Sequence, residues 1–383
     1  MKKTLAFVAI AATTAAGGAR AAEFTPTKFE AVQPGESAQI AEIVDLTGKL
    51  LEQRYGTLSG QSAGDTMARR AVHPKAHGCV KADFVVNANI PENYRVGVFA
   101  TPGKKYEAWI RFSNATGTVT ADVGKLGASS RGMAIKLMGV EGETLLGEPG
   151  AKTQDFLLIN QPMFAFPDVP EYLAGTKVQF ENKENLLPFL ADPAHKTTAE
   201  IVTKIIAPTQ LANPLDATYH SGSPFLFGAD KVAKFAAQPR NPANPSLTPK
   251  NPSPDYLREA MKKSLELYSG RPVTFDFQVQ LRPDGLQPMD SDYPIENAAK
   301  KWEPKSDGTA KFQNVAEITI KPQDFDHPLQ ATECEHLVFT PWHGLTVHQP
   351  LGGINRLRRD VYIASSKRRA QTTEPSGYPQ WPK

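Results

Sequence analysis

The stretch RLRRDVYIASSKRRAQ, Arg356 to Gln371, sets the reading of the whole chain, because it places one tyrosine, Tyr362, among a crowd of cations. Arg358 lies four residues before Tyr362 and Arg369 seven after, so on a helix both fall on or near the tyrosine's face. A positive neighbourhood favours the phenolate over the phenol. The plain alternative is a basic helix with a solvated charged face and the tyrosine body packed beneath it. The rest of the chain has to choose between them.

Compartment comes first. The chain opens MKKTLAFVAIAATTAAGGARAAEF, with Lys2 and Lys3 ahead of an apolar run from Leu5 to Ala16 and small residues at Ala19, Ala21 and Ala22. This predicts a secretory signal over residues 1–22 and an exported, periplasmic protein. The run is too short to cross a bilayer, and nothing later offers the roughly 20 apolar residues of a membrane helix, so no stable membrane insertion is expected. A formal net charge of only +3 gives no reason to expect a nucleic-acid partner. The 383 residues suggest two or three domains by length alone, but one large closed sheet can occupy most of such a length. Cys79 and Cys334 match no zinc or redox spacing, which argues against a protein-ligated metal cluster. A disulfide between them and two buried thiols are both open.

Along the chain, SAQIAEIVDLTGKLLEQRY (Ser37 to Tyr55) carries Ile40, Ile43, Val44, Leu50 and Leu51 at helical spacing behind a serine cap candidate. Strand signals follow in ADFVVNANI, YEAWIRFS, RGMAIKLMG and QDFLLIN, and a later pair in VTFDFQVQLRP and VAEITIKP. Two separated groups of strands predict one large antiparallel sheet or barrel. Between them come a helix-bearing segment and QPRNPANPSLTPKNPSPDY (Gln238 to Tyr256), whose prolines restrict it to an extended surface connection. The expected organisation is an N-terminal arm and helix over 23–68, one domain over 69–370 and a tail over 371–383.

Chemistry gathers in four segments. ARRAVHPKAHGCVKADFVV holds His73 and His77 between arginines and a strand. In YEAWIRFSNATG, period two puts Trp109, Arg111 and Ser113 on one face and Ile110 and Phe112 on the other, and an arginine there needs an anion or water. In TQDFLLINQPMFAFPD, Asn160 ends an apolar strand, the usual place of a turn residue. The basic tyrosine helix is the fourth. Each has an unremarkable explanation alone; together they supply what a haem site for peroxide cleavage needs. A tyrosinate ligand needs a cation beside it, for which Arg358 is placed, and haem propionates need arginines, for which Arg70, Arg111 and Arg369 are candidates. Peroxide cleavage needs a base and a hydrogen-bond donor on the open side, roles that His73 and Asn160 fit.

On these residues the sequence resembles the catalase superfamily, and most closely its short single-domain members, the mini-catalases or catalase-related peroxidases. Arg70, Val72 and His73 match the family's distal histidine segment, and RFS at Arg111 to Ser113 its strand. SSRGMAIKLMGVEG around Arg131 and Gly132, NQP at Asn160 to Pro162, and the segment around Tyr219 follow in the family's order. The proximal pattern falls on Arg358 and Tyr362, with the later family arginine at Arg369. The chain departs from the pattern at Lys367, where the family has arginine, in PKAHGC after His73, and in FAFPDVPEYL after Asn160.

The resemblance implies an α+β fold: a catalase-like antiparallel β-barrel enclosing haem, with surrounding helices and a C-terminal helix bearing the haem ligand. It implies haem b, whose iron is held by Tyr362, since tyrosine is the axial ligand in catalases. It implies His73 and Asn160 as the catalytic pair, with Ser113 fixing the His73 ring from behind. The implied activity is decomposition of hydrogen peroxide or organic hydroperoxides, with a second peroxide or an unknown electron donor completing the cycle and protecting the cell envelope. The family's long N-terminal arm is short in this sequence and its C-terminal extension is absent, which predicts a wider channel mouth that suits organic hydroperoxides. The oligomeric state is open. Two other readings stand beside this one. A fatty-acid hydroperoxide isomerase of the allene oxide synthase type shares the ligand and distal pair, but tends to carry threonine where Val72 stands. A non-enzymatic exported haem-binding protein would not need His73 and Asn160 together.

Overall fold

Period-two alternation builds the centre of the protein. The computed structural model describes residues 25–56, 69–123, 130–147, 151–242, 249–267 and 270–369, so the expected signal and tail lie outside the described residues. In chain order the elements are α1 (Glu36–Tyr55), β1 (Ala76–Val86), β2 (Lys105–Asn114), β3 (Arg131–Met138), β4 (Thr153–Ile159), α2 (Val169–Glu181), α3 (Leu187–Ala191) and α4 (Lys196–Glu200). There follow β5 (Tyr219–His220), β6 (Phe225–Phe227), β7 (Lys231–Pro239), α5 (Tyr256–Ser264), β8 (Val273–Leu281), β9 (Phe312–Ile320), α6 (Pro328–His336) and α7 (Gly353–Arg368). The strands form one antiparallel sheet in the order β5-β4-β3-β2-β1-β9-β8-β7-β6. Pairing of Tyr219 with Ala237 and of His220 with Ala236 joins β5 to β7, which closes eight strands into a barrel and leaves β6 beside β7.

The lumen is packed, not hollow. Ala108, Ile110 and Phe112 of β2 point inward together with Met133, Ile135 and Leu137 of β3. Phenylalanines fill the middle: Phe156 and Phe277 have ring centroids 4.8 Å apart, Phe156 and Phe235 5.0 Å, and Phe84 and Phe277 5.2 Å. The opposite parity of β2, Trp109, Arg111 and Ser113, faces outward as the alternation requires. The barrel is therefore as expected, but the candidate site described below lies against its outer wall and not within its lumen.

A histidine sits in this aromatic packing. His348 is fully buried, with ring centroids 5.6 Å from Phe227 and 5.7 Å from Phe99, and burial lowers its pKa to about 4. The folded chain holds it neutral, while the unfolded chain protonates it below about 6.5. Its contribution to stability is therefore intact above that pH and is lost as pH falls toward 4. At pH 5 the loss is about 2 kcal/mol. His348→Leu is expected to reduce the fall in stability between pH 7 and pH 5 by about that amount, measured by urea unfolding at both pH values.

Outside the barrel, α1 packs Ile40, Ile43 and Leu46 against Val169 and Leu173 of α2 and Ile354 and Leu357 of α7. The serine cap expected for α1 is not used: the helix begins at Glu36 behind Gly35, whose φ of 80° suits glycine, and no side chain caps it. The first arginine of the basic stretch also has a different task. Arg356 is buried and binds Glu36 at 2.5 Å, Glu30 at 2.6 Å and Glu296 at 2.9 Å, fastening the N-terminal arm to α7. The remaining carboxylate charge is met by backbone amides at the start of α7, with Gly352 donating to Glu30 and Gly353 to Glu296.

Cys79 of β1 and Cys334 of α6 form a disulfide across 255 residues, so of the two open readings the bonded one holds. Closing so long a loop typically stabilises a fold by about 2–4 kcal/mol.

Candidate active site

Between the outer face of β2, β3 and β4 and the helix α7 lies a cavity lined by apolar side chains and a few polar ones, the composition usual for a ligand site. His73, Arg70, Arg111, Ser113, Arg358, Tyr362 and Arg369 all line it. Of the eight residues given a role in the site from the sequence, Asn160 is the one not among the lining residues, although its neighbour Ile159 is.

His73 arrives on the loop that leads into β1 and is fixed from several directions. Its Nδ1 lies 2.9 Å from Ser113 Oγ, the contact expected of the residue behind it. Its amide donates to the Thr116 carbonyl at 3.1 Å, and its own carbonyl accepts from Arg111 Nη1 at 2.9 Å. Its φ of 59° is left-handed, a conformation that costs a non-glycine residue about 1 kcal/mol or more and persists only where neighbours hold it. Gly132 on β3 makes room: a Cβ there would stand 2.6 Å from His73 Cε1 and 2.7 Å from Nδ1. Burial, then Arg111, Arg358 and Arg70, lower the His73 pKa to about 3, so the ring is neutral and able to accept a proton. His77, the other histidine of that segment, is no part of the site. It is buried elsewhere, with Nε2 2.9 Å from Asn114 Oδ1.

The three arginines expected near carboxylates do converge, around a residue that no sequence pattern marked. Glu335, at the end of α6, accepts from Arg111 Nε at 3.1 Å and Nη2 at 3.0 Å, and pairs with Arg70. Arg369 Nη1 donates to the Glu335 carbonyl at 3.0 Å, and Arg70 Nη2 to the Leu337 carbonyl at 2.8 Å. Burial would raise the Glu335 carboxyl, but Arg111 and Arg70 outweigh it and hold it at about 2. The Glu335 side chain is 40% exposed, so water screens these pairs and their worth in stability is modest. Three guanidinium groups against one carboxylate leave a local surplus of about two positive charges at the cavity edge.

Tyr362 is half-buried on α7 and turned to the cavity. The Arg358 guanidinium lies 5.5 Å from the Tyr362 ring centroid and 5.3 Å from that of Phe164, and its Nη1 donates to Asn355 Oδ1 at 3.0 Å. Asn160 Oδ1 accepts from the Arg131 amide at 2.7 Å, which holds the end of β4 to the start of β3. Its Nδ2 is buried and, among the described residues, has no hydrogen-bond partner. Arg369 Nε is in the same state. Unsatisfied buried donors are costly in a finished structure and mark places where an acceptor is due.

No protein-family model matches the sequence, and no curated protein matches it either. Solved structures do. A fungal catalase superposes with a TM-score of 0.59 at 15% identity, over 80% of this chain and 60% of its own. A bacterial catalase gives 0.58 at 15% identity, over 79% and 57%. Catalase A from Saccharomyces cerevisiae gives 0.58 at 16% identity, over 79% and 61%. The chain thus spans about three fifths of the length of these catalases, and its fold is catalase-like.

Proposed function

We propose that this protein binds haem in the cavity and uses it to decompose hydrogen peroxide or organic hydroperoxides. The observation that carries the reading is the convergence on one cavity of Tyr362 with Arg358, and of His73 backed by Ser113. The residues fit the group. Tyr362 offers a phenolate oxygen to iron, and the positive surplus of Arg70, Arg111 and Arg369 over Glu335 suits two propionates. Asn160 Nδ2 and Arg369 Nε are donors awaiting acceptors. When bound, haem supplies the redox chemistry that splits an O–O bond.

The chain's own part is to move a proton. With Nδ1 directed to Ser113, the neutral His73 presents its Nε2 lone pair to the cavity. It takes the proton from one peroxide oxygen and returns it to the other, so that water or an alcohol leaves. Asn160, which stands next to the lining residue Ile159, would donate its unpartnered Nδ2 to the departing oxygen. A second peroxide or a separate electron donor then completes the cycle. An envelope location is part of the proposal, supported by the Cys79–Cys334 disulfide, which persists in oxidising compartments.

The test is optical titration of the full chain with haem, followed by hydrogen peroxide and cumene hydroperoxide. One haem per chain with a tyrosinate-type spectrum and consumption of either peroxide is expected. Haem binding without peroxide consumption would leave a haem carrier.

A further inference from the structure

We propose that Glu335 is a positioning residue for His73, acting through Arg111, and that the Cys79–Cys334 disulfide holds it in place. Three hydrogen bonds make the path, two in parallel between Glu335 and Arg111 and one onward from Arg111 to His73. Glu335 Oε1 accepts from Arg111 Nε and Nη2, at 3.1 and 3.0 Å, and the third nitrogen of the same guanidinium, Nη1, donates to the His73 carbonyl at 2.9 Å. A planar guanidinium fixed on one edge by a carboxylate presents its other edge in a fixed direction. That edge grips the backbone of a residue whose left-handed φ needs support. The ring then drops into the seat formed by Gly132 and Ser113.

The disulfide sits directly behind this path. Cys334 precedes Glu335 in α6, and Cys79 is the cross-strand partner of Arg111 in the β1–β2 register. The covalent bridge and the ion pair therefore span the same gap side by side. Gln330 Nε2 donates to the Cys79 carbonyl at 2.8 Å and adds a tie from one turn earlier in α6. Glu335 is drawn toward Arg111 by charge and is kept from leaving with α6 by sulfur.

The role rests on reading His73 as the proton carrier, so the test separates the two. The full chain, labelled with ¹⁵N-histidine and free of haem and peroxide, is compared with Glu335→Gln, with the His73 imidazole signal identified by its loss in His73→Ala. Glu335→Gln is expected to move that signal, and in the haem-loaded chain to lower kcat about 10- to 100-fold, the usual cost of removing an outer hydrogen-bond partner. KM for peroxide is expected to stay within about twofold, since substrate binding is not what the path controls. Reduction of the disulfide, or the Cys79→Ser/Cys334→Ser pair, is expected to move the same signal in the same direction. Glu335→Asp keeps the charge and serves if the glutamine variant does not fold; its signal is expected to lie between the two. A lower melting temperature with an unmoved His73 signal and unchanged kcat would reduce Glu335 to an anchor of α6 and overturn the proposal. A moved signal in a chain that consumes no peroxide would keep the path and discard the peroxidase reading.

Discussion

Tyr362→Phe is expected to remove stable haem binding while leaving the fold in place. Phenylalanine keeps the ring, so the packing of the Arg358 guanidinium against it and against Phe164 survives. Among the described residues the hydroxyl makes no hydrogen bond that has to be given up, and the stability of the haem-free chain should change by no more than about 0.5 kcal/mol, the range of a surface substitution. What is lost is the phenolic oxygen that α7 brings to the cavity. Removing partners behind a metal ligand costs 10- to 100-fold in affinity, so removing the ligand itself should cost at least about 100-fold. The measurement is a haem titration followed by absorbance. Equal affinity and an identical spectrum in the variant would mean that another residue holds the iron. Arg358→Ala gives the graded comparison: it keeps the oxygen and removes the cation that lies over the Tyr362 ring, so haem should still bind, but more weakly.

The legible parts of this protein are those in which the signal is local. Alternation in YEAWIRFSNATG assigned Trp109, Arg111 and Ser113 to one side of β2 because an antiparallel strand with a packed lumen behind it has no freedom in parity. Tyr362 and His73, which line one cavity, could be singled out because the spacing of Arg358 to Tyr362 and of Arg70 to His73 is written within a few residues. β7 was not legible. KVAKFAAQP is buried on nearly all positions, between the lumen on one side and a covering segment on the other, so alternation disappears and its alanines carry no strand preference. The segment containing it read as helix-bearing, which α2, α3 and α4 bear out, but its strand went unmarked. Glu335 was invisible for a different reason: its partners Arg70 and Arg111 are 265 and 224 residues away, and an isolated glutamate in a helix is the commonest of surface residues. The disulfide shared that difficulty, since two cysteines 255 residues apart show no spacing that tests whether they meet.

These distant contacts explain how a short local motif acquires a defined geometry. Arg111 was expected to meet the carboxylates of a cofactor, but its guanidinium already serves Glu335 on one side and the His73 carbonyl on the other. Arg369, with a buried unpaired Nε, has more capacity left for a new anion than Arg111 does. The arginine group therefore divides its work. Part of it balances charge at the cavity edge, and part of it holds the histidine that lines the cavity.

That division sets the sharpest expectation for catalysis. His73→Ala should bind haem as the parent does, because nothing in its position offers a ligand that Tyr362 does not already supply, and should lose about 10²- to 10⁴-fold in peroxide turnover, the usual worth of a positioned acid–base group. The loss should appear in kcat and kcat/KM together, since the proton is moved only as the O–O bond breaks. Gly132→Ala offers a second approach that leaves the imidazole in the chain. Its Cβ would stand 2.6 Å from His73 Cε1 and 3.0 Å from Ser113 Oγ, so the ring has to leave its seat and the bond at Nδ1 cannot be kept. Turnover should fall in this variant too, by less than in His73→Ala, because a displaced histidine still reaches peroxide some of the time. If His73→Ala turned over peroxide at the parent rate, His73 would be a structural residue of the β1 loop and the proton would have to travel by another path. If only Gly132→Ala failed, the packing of β3 would be responsible and not the position of the base.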